Sequence, residues 1–270
     1  MSKPKVVLIA GAAHGGTTIF NMMLGQHPDI FATGKLRDFP HGVVFEAANI
    51  CSCGAPAADC PFWLEIRRRY QPIDEQPNEE KLPRLYDLIS SLSGRTFVGD
   101  VTHNVGYAQL LQSIDGIDLY LVHVVRDGRA VVYSRIRKDL RIGTLGTSRW
   151  QRIRRIAAVS RHWMRQTSTY SRMEKQLGAK AVRVSYETIC NNPRAALRPV
   201  GECLGLDFDA IGARLGSGQP FERVPHMIRG NRRLRSENNV VLRRDTSYLD
   251  EMPRLDRAIF QLASRVPVIS

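Results

Sequence analysis

A chain of 270 residues, 43% hydrophobic and without a break in composition, is long enough to bury one large core, so a single domain over residues 1–270 is expected. Five cysteines, three of them bunched at Cys51, Cys53 and Cys60, are too few and too uneven for a secreted disulfide framework, which points to a reducing, cytoplasmic setting. No apolar stretch reaches the ~18 residues of a membrane span. The net charge of +13 therefore asks for an anionic partner of a soluble or at most peripheral protein: nucleic acid, a membrane surface or a strongly anionic small ligand.

In chain order, the first element is a buried strand at "VVLIA"; its short apolar run passes straight into "GAAHGGTT", unlike a signal peptide. A helix over 16–26 follows. Further strands are expected at "TFVGDV", "LYLVHVV" and "AVRVS", and further helices over 61–69, 79–92, 104–114, 127–140, 149–177 and 193–204. Gly178 suits a helix C-cap, and Pro193 after "NN" suits a helix start. Beyond about residue 215, Gly216, Gly218, Pro220, Pro225 and Gly230 break any period, so an irregular tail is expected, with a ligand-covering segment near 215–245. Strands alternating with helix-length segments predict an α/β fold: a P-loop-like parallel sheet flanked by helices on both faces.

Two stretches carry the chemistry. "GAAHGGTT" nearly fits GxxxxGK[ST], with Gly11, Gly16 and Thr18 in place but Thr17 where the lysine belongs. A glycine-rich turn between strand and helix aims backbone N–H groups into one concavity at the positive end of the helix, which favours an anion. Without the lysine, a triphosphatase of the usual kind is disfavoured. In "VVRDGRAVVYSRIRK", Arg126 ends an apolar strand, where ligands of open α/β sheets collect, and Ser134 lies about two helical turns further on. A guanidinium fork and a hydroxyl so placed suit a second phosphate; a strand-end arginine paired with Asp127 or Asp100 is the plainer alternative.

The residues of "GAAHGGTTIFNMMLGQHPDI", "VHVVRDGRAVVYSRIRK", "VRVSYETICNNPRAALRPVGECLGLDFD" and "HMIRGNRRLR" resemble, in order and spacing over nearly the whole chain, the bacterial sulfotransferases that use 3′-phosphoadenosine 5′-phosphosulfate. The resemblance implies a loop of His14, Gly15, Gly16, Thr17 and Thr18 that holds the 5′-phosphosulfate without a metal. It implies Arg126 and Ser134 on the 3′-phosphate, Arg229, Gly230, Asn231 and Arg232 closing over it, and Tyr186 near the adenine. The acceptor would be a hydroxyl of a small molecule, carbohydrate or lipid.

Three departures from the family pattern locate the catalytic groups. His14 stands where the family usually has Lys or Arg, so either it acts protonated or Lys35 or Arg37 supplies the cation. Gly34 and Lys35 stand where some members carry a glutamate base. At the end of the second expected strand many bacterial relatives read "DSSK" and this chain reads "DVTH". His103 is thus the candidate general base, with Asp100 to orient it or bind the acceptor; capping the helix near Asn104 is the structural alternative. His123, inside a strand pattern, reads as a core histidine, and His226 as a supporting residue next to the tail loop.

"CSCGAPAADCPFW", in an insert near 41–70, has part of a zinc-site spacing but no evident fourth ligand nearby except His41. It reads as a packed loop held by one disulfide, with no metal, and with Phe62 and Trp63 shaping an acceptor pocket or anchoring the insert. Between Arg126 and Arg172, thirteen Lys or Arg face two acids, a basic stretch that suits a solvated face or peripheral contact with an anionic membrane or glycolipid. No specific nucleic-acid partner is expected, since aromatic content is 7% and no recognised module emerges. A P-loop kinase or other nucleotide-binding enzyme, and a sulfotransferase-like protein that binds nucleotide without catalysis, are the competing readings.

Overall fold

The computed structural model describes residues 3–40, 42, 45, 49–70, 77–146, 148–231, 234 and 239–265. Five parallel strands, β1 (Lys5–Gly11), β2 (Ile30–Gly34), β3 (Phe97–Thr102), β4 (Asp118–Val125) and β5 (Ala181–Ser185), form one sheet in the order β2-β3-β1-β4-β5. Val6 to Ala10 have no exposed surface, as expected of a central parallel strand covered on both faces. Successive side chains alternate between the two cores. Val6, Leu8 and Ala10 pack with α2 (Pro61–Tyr70), α3 (Asn78–Ser93), α4 (Val105–Ser113) and the C-terminal part of α6 (Arg149–Leu177). Val7 and Ile9 pack with α1 (Thr17–Leu24) and with helices after β5. The α/β class with helices on both faces is therefore the architecture the chain adopts.

The remaining helices are α5 (Gly128–Arg141), α7 (Tyr186–Asn191), α8 (Pro193–Leu204), α9 (Asp209–Gly216), α10 (Ser247–Glu251) and α11 (Arg254–Ala263). The expected caps form: the Gly178 N–H bonds the Glu174 carbonyl, and Asn192 accepts from the Ala195 N–H ahead of the α8 start at Pro193. At 29 residues, α6 is about 43 Å long and spans the sheet face.

Two expectations are corrected. β2 is not legible because Ala32, Thr33 and Gly34 dilute its apolar run, yet all five of its residues are buried. The tail is not irregular to its end: α11 buries Asp256, Phe260 and Ala263, a helical spacing that follows the last Gly and Pro of the breaker-rich stretch.

Register fixes what meets at the carboxyl end of the sheet. Ala10 lies beside Thr102 on one side and His123 on the other, and Gly11 lies beside Val124. The loop after β1 is therefore flanked by the residues that follow β3 and β4, which are His103 and Arg126.

Candidate functional site

The loop from Ala12 to Gly16 turns tightly, with the Gly15 N–H bonding the Ala12 carbonyl at 2.9 Å. His14 and Gly16 adopt positive φ, 68° and 95°. Gly16 caps α1 without a side chain, and a Cβ there would stand 2.4 Å from the Tyr186 ring, so close packing as well as φ demands glycine.

On the β4 side, Arg126 is buried and stacks over Tyr186, with its guanidinium carbon 4.3 Å from the ring centroid. It donates to the His14 carbonyl at 2.9 Å and to the Asp245 carboxylate at 3.1 Å. Neither Asp127 nor Asp100 is its partner: Asp127 accepts from Arg129 and Tyr248, while Asp100 lies in the core. Ser134, on α5, lies 3.1 Å from His14 Nδ1, so His14 links Arg126 and Ser134. Burial first, then Lys138, Arg135 and Arg126, lower the His14 pKa to about 4. These surroundings favour the neutral imidazole.

On the β3 side, His103 Nε2 lies 2.8 Å from Thr17 Oγ1, and Lys35 Nζ lies 3.3 Å from Nδ1. Thr17 and Lys35 thus face the two ring nitrogens of His103, one from each side. Burial and then Lys35 lower the His103 pKa to about 3, and burial and then Arg229 lower that of Lys35. Of the two expected substitutes for the missing loop cation, Lys35 is in the site, whereas Arg37 pairs with Asp38 near the surface.

His103 is not a helix cap. Asn104 caps α4 itself, accepting from the Tyr107 N–H at 2.8 Å, and Gln166 of α6 holds the His103 carbonyl. Asp100 does not orient His103 either: fully buried, it accepts from the Leu36 N–H, the Tyr86 hydroxyl and the Tyr107 hydroxyl. Its role is to fix the chain as it leaves β2, and burial raises its pKa to about 6. His123 bonds Glu174 inside the sheet, as a core histidine does.

The strap of residues 222–231 crosses the head of α1. Ile228 donates to the Thr33 carbonyl at 2.7 Å and accepts from the Lys35 N–H at 3.2 Å, lying parallel to the end of β2. A Cβ on Gly34 would stand 1.8 Å from the Ile228 carbonyl oxygen, so only glycine lets the strap pass. Arg229 then pairs with Asp38 at 2.9 Å, Gly230 lies against Thr18, and the Asn231 N–H donates to Thr18 Oγ1 at 3.4 Å. Arg232 and His41 lie outside the described residues.

The structure thus brings together His14, Gly15, Gly16, Thr17, Thr18, His103, Arg126, Ser134, Tyr186, Arg229, Gly230 and Asn231 around one loop. Gln166 and Asp245 are additions that no sequence pattern announces, because each acts from a distant element. The cysteine-bearing insert differs most from expectation. All five cysteines are free, and His226 of the strap, rather than His41, joins Cys51, Cys53 and Cys60. Trp63 is fully buried and anchors α2 in the core, while Phe62 packs at a tilt against Phe31 and stacks on His226.

Residues 117–210, from the strand start at β4 to the start of α9, match the model of the sulfotransferase family. No curated protein matches the chain by sequence. Among solved structures, a sulfotransferase domain from the curacin biosynthetic pathway shares the fold at TM-score 0.60 and 16% identity, over 99% of this chain and 100% of that one. Mouse sulfotransferase SULT7A1, solved complexed with PAP, matches at TM-score 0.55 and 12% identity over 97% and 84%. The sulfotransferase domain of the Synechococcus PCC 7002 olefin synthase matches at 0.51 and 15% over 100% and 91%. Those identities speak for fold alone. The family match thus contains Arg126 and Ser134, and the fold of the solved sulfotransferases runs along nearly the whole chain.

Proposed function

We propose that the protein transfers the sulfuryl group of 3′-phosphoadenosine 5′-phosphosulfate to a hydroxyl of a small-molecule, carbohydrate or lipid acceptor. The observation that carries this reading is the 2.8 Å contact between Thr17 of the anion-binding loop and His103 at the end of β3, which sets a proton acceptor beside the donor loop. The PAP held by the mouse neighbour supports the nucleotide half of it.

In the proposed reaction the acceptor oxygen bonds to sulfur, the bond from sulfur to the bridging phosphate oxygen breaks, and 3′-phosphoadenosine 5′-phosphate leaves. The acceptor proton passes to His103, which burial and then Lys35 keep neutral in the absence of donor; the negative donor raises its basicity on binding. Loop amides, Thr18 and neutral His14 donate to the leaving phosphate, and Lys35 supplies the positive charge that a loop lysine would otherwise bring. Arg126, Ser134 and the Arg229–Asn231 stretch take the 3′-phosphate, with Tyr186 beside the purine; Arg232 belongs to the same proposal.

Contact with an anionic membrane or glycolipid is supported by one face. Where α5 ends and α6 begins, Trp150 is 74% and Ile142 54% exposed, next to the exposed Arg141, Arg149 and Arg154. No described helix is long and apolar enough to cross a membrane.

Calorimetric titration with adenosine 3′,5′-bisphosphate, adenosine 5′-monophosphate and ATP with magnesium tests the donor site. Micromolar, metal-independent binding that requires the 3′-phosphate is expected. Binding of ATP with magnesium instead would return the protein to the kinase class, and failure of a labelled donor to mark any acceptor would leave a nucleotide binder without catalysis.

A further inference from the structure

We propose that Cys51, Cys53, Cys60 and His226 bind one zinc ion, and that this ion staples the strap to the insert. The four ligand atoms lie within 4.8 Å of one another, from two segments more than 160 residues apart in sequence. Cys53 Sγ is 3.7 Å from Cys60 Sγ, and Cys60 Sγ is 3.3 Å from His226 Nδ1. A tetrahedral zinc with bonds of about 2.3 Å to sulfur and about 2.0 Å to nitrogen has edges of about 3.8 Å between sulfurs and about 3.5 Å between sulfur and nitrogen. These two separations are close to those edges, and the other four lie within 4.8 Å.

The backbone around the sulfurs is tightly ordered. Residues 49–57 form a tight hairpin: the Cys51 N–H bonds the Ala55 carbonyl at 2.8 Å, the Ala57 N–H bonds that of Asn49 at 2.7 Å, and Gly54 turns at φ 97°. Within it the backbone N–H groups of Cys53 and Ala55 point at the sulfurs of Cys51 and Cys53, and that of Trp63 at Cys60. These donors offset part of the burial that raises the Cys51 and Cys60 thiols, and they fix where the sulfurs point. His226 is fixed from two sides: the Trp63 indole donates to its carbonyl at 2.7 Å, and Phe62 stacks on its ring at 5.1 Å and 12°. It takes a positive φ of 54°, a conformation uncommon for histidine, which turns the ring toward the cysteines. Three thiolates and one imidazole in a closed, four-coordinate set suit Zn²⁺ over harder ions.

Its position gives the ion a task. Ser52, between two of the ligands, bonds the strap at Met227 and Val224, and Arg223 bonds the Ser52 carbonyl. Two residues after His226, Ile228 joins β2, and Arg229 to Asn231 reach Thr18. Zinc would therefore set the anchor of the segment that covers the loop. This second step rests on the proposed donor site; the metal itself does not.

The experiment is metal analysis of the full chain purified under reducing conditions from zinc-supplemented cells. Roughly one zinc per chain is expected, falling below about a tenth in Cys60→Ser and His226→Asn and unchanged in Cys203→Ser. Should the ligand variants fail to fold, cobalt added to wild type stripped by chelator gives the answer: a tetrahedral thiolate spectrum at one equivalent supports the site. Wild type without metal that takes up no cobalt, or one with a Cys53–Cys60 disulfide in the reduced preparation, overturns it. If zinc is present and adenosine 3′,5′-bisphosphate still does not bind, the donor-site reading fails while the metal site stands.

Discussion

Lys35 Nζ stands 3.3 Å behind His103 Nδ1 while His103 Nε2 faces Thr17, so a cation backs the imidazole on the side away from the loop. Replacing Lys35 by Met removes a charge that lowers the His103 pKa and that would face the leaving phosphate. The expected result is a kcat lower by about 10²- to 10³-fold, with the acid limb of the kcat/KM profile moved to higher pH. A fall in rate with an unmoved limb would mean that Lys35 does not act through His103.

Asp245 occupies one arm of Arg126, at 3.1 Å, and is 47% exposed. A bound 3′-phosphate would compete with that carboxylate for the same guanidinium. Asp245→Asn is expected to tighten binding of adenosine 3′,5′-bisphosphate by roughly 2- to 5-fold and to leave adenosine 5′-monophosphate unchanged. Arg126→Ala is expected to weaken the bisphosphate by about 100-fold or more. Calorimetry on both variants decides; equal effects on the two nucleotides would place the 3′-phosphate elsewhere.

Acid should destabilise the protein through its two site histidines. Their pKa values, about 4 for His14 and about 3 for His103, lie below the 6.5 of free imidazole, so between these limits the unfolded chain binds protons that the folded chain refuses. Their contribution is complete above pH 6.5 and is lost as pH falls. Asp100 runs the other way: raised to about 6 from 3.8, it gains protons in the folded state first and returns some stability across that interval. Two groups oppose one, so Tm should fall from pH 6.5 to 4. Scanning calorimetry across that range should show a shallower fall for His14→Gln than for wild type, and parallel curves would contradict the assignment.

Gly34→Ala tests the passage of the strap. The added carbon would lie 1.8 Å from the Ile228 oxygen at a φ of 93°, so the strap must lift. A loss of about 3 kcal/mol or more is expected by denaturant unfolding, with faster proteolysis within 222–231. Gly218→Ala, with open space around its own positive φ of 82°, should cost less.

Much of this was legible in the residues themselves. Apolar runs between helix-length segments predicted four of five strands, and the glycine loop and the spacing from Arg126 to Ser134 picked out residues that the fold brings together. β2 escaped because burial, not composition, makes Ala32 to Gly34 a strand. Asp100 looked like a partner of His103 from its place in "DVTH". Strand alternation instead turns it into the core, against Tyr86 and Tyr107. His226 could not be joined to the cysteines from sequence, since only the path of the strap brings the two segments together.

The strap also guards the sheet. β2 is an edge strand, and its unpaired side is met near the carboxyl end by Ile228 through Thr33 and Lys35. Any opening wide enough to break those two bonds bares backbone donors and acceptors that can template pairing with another chain. On the proposed donor site, opening for product release trades access against self-association, and the nucleotide-free form should aggregate faster on warming than the form filled with nucleotide.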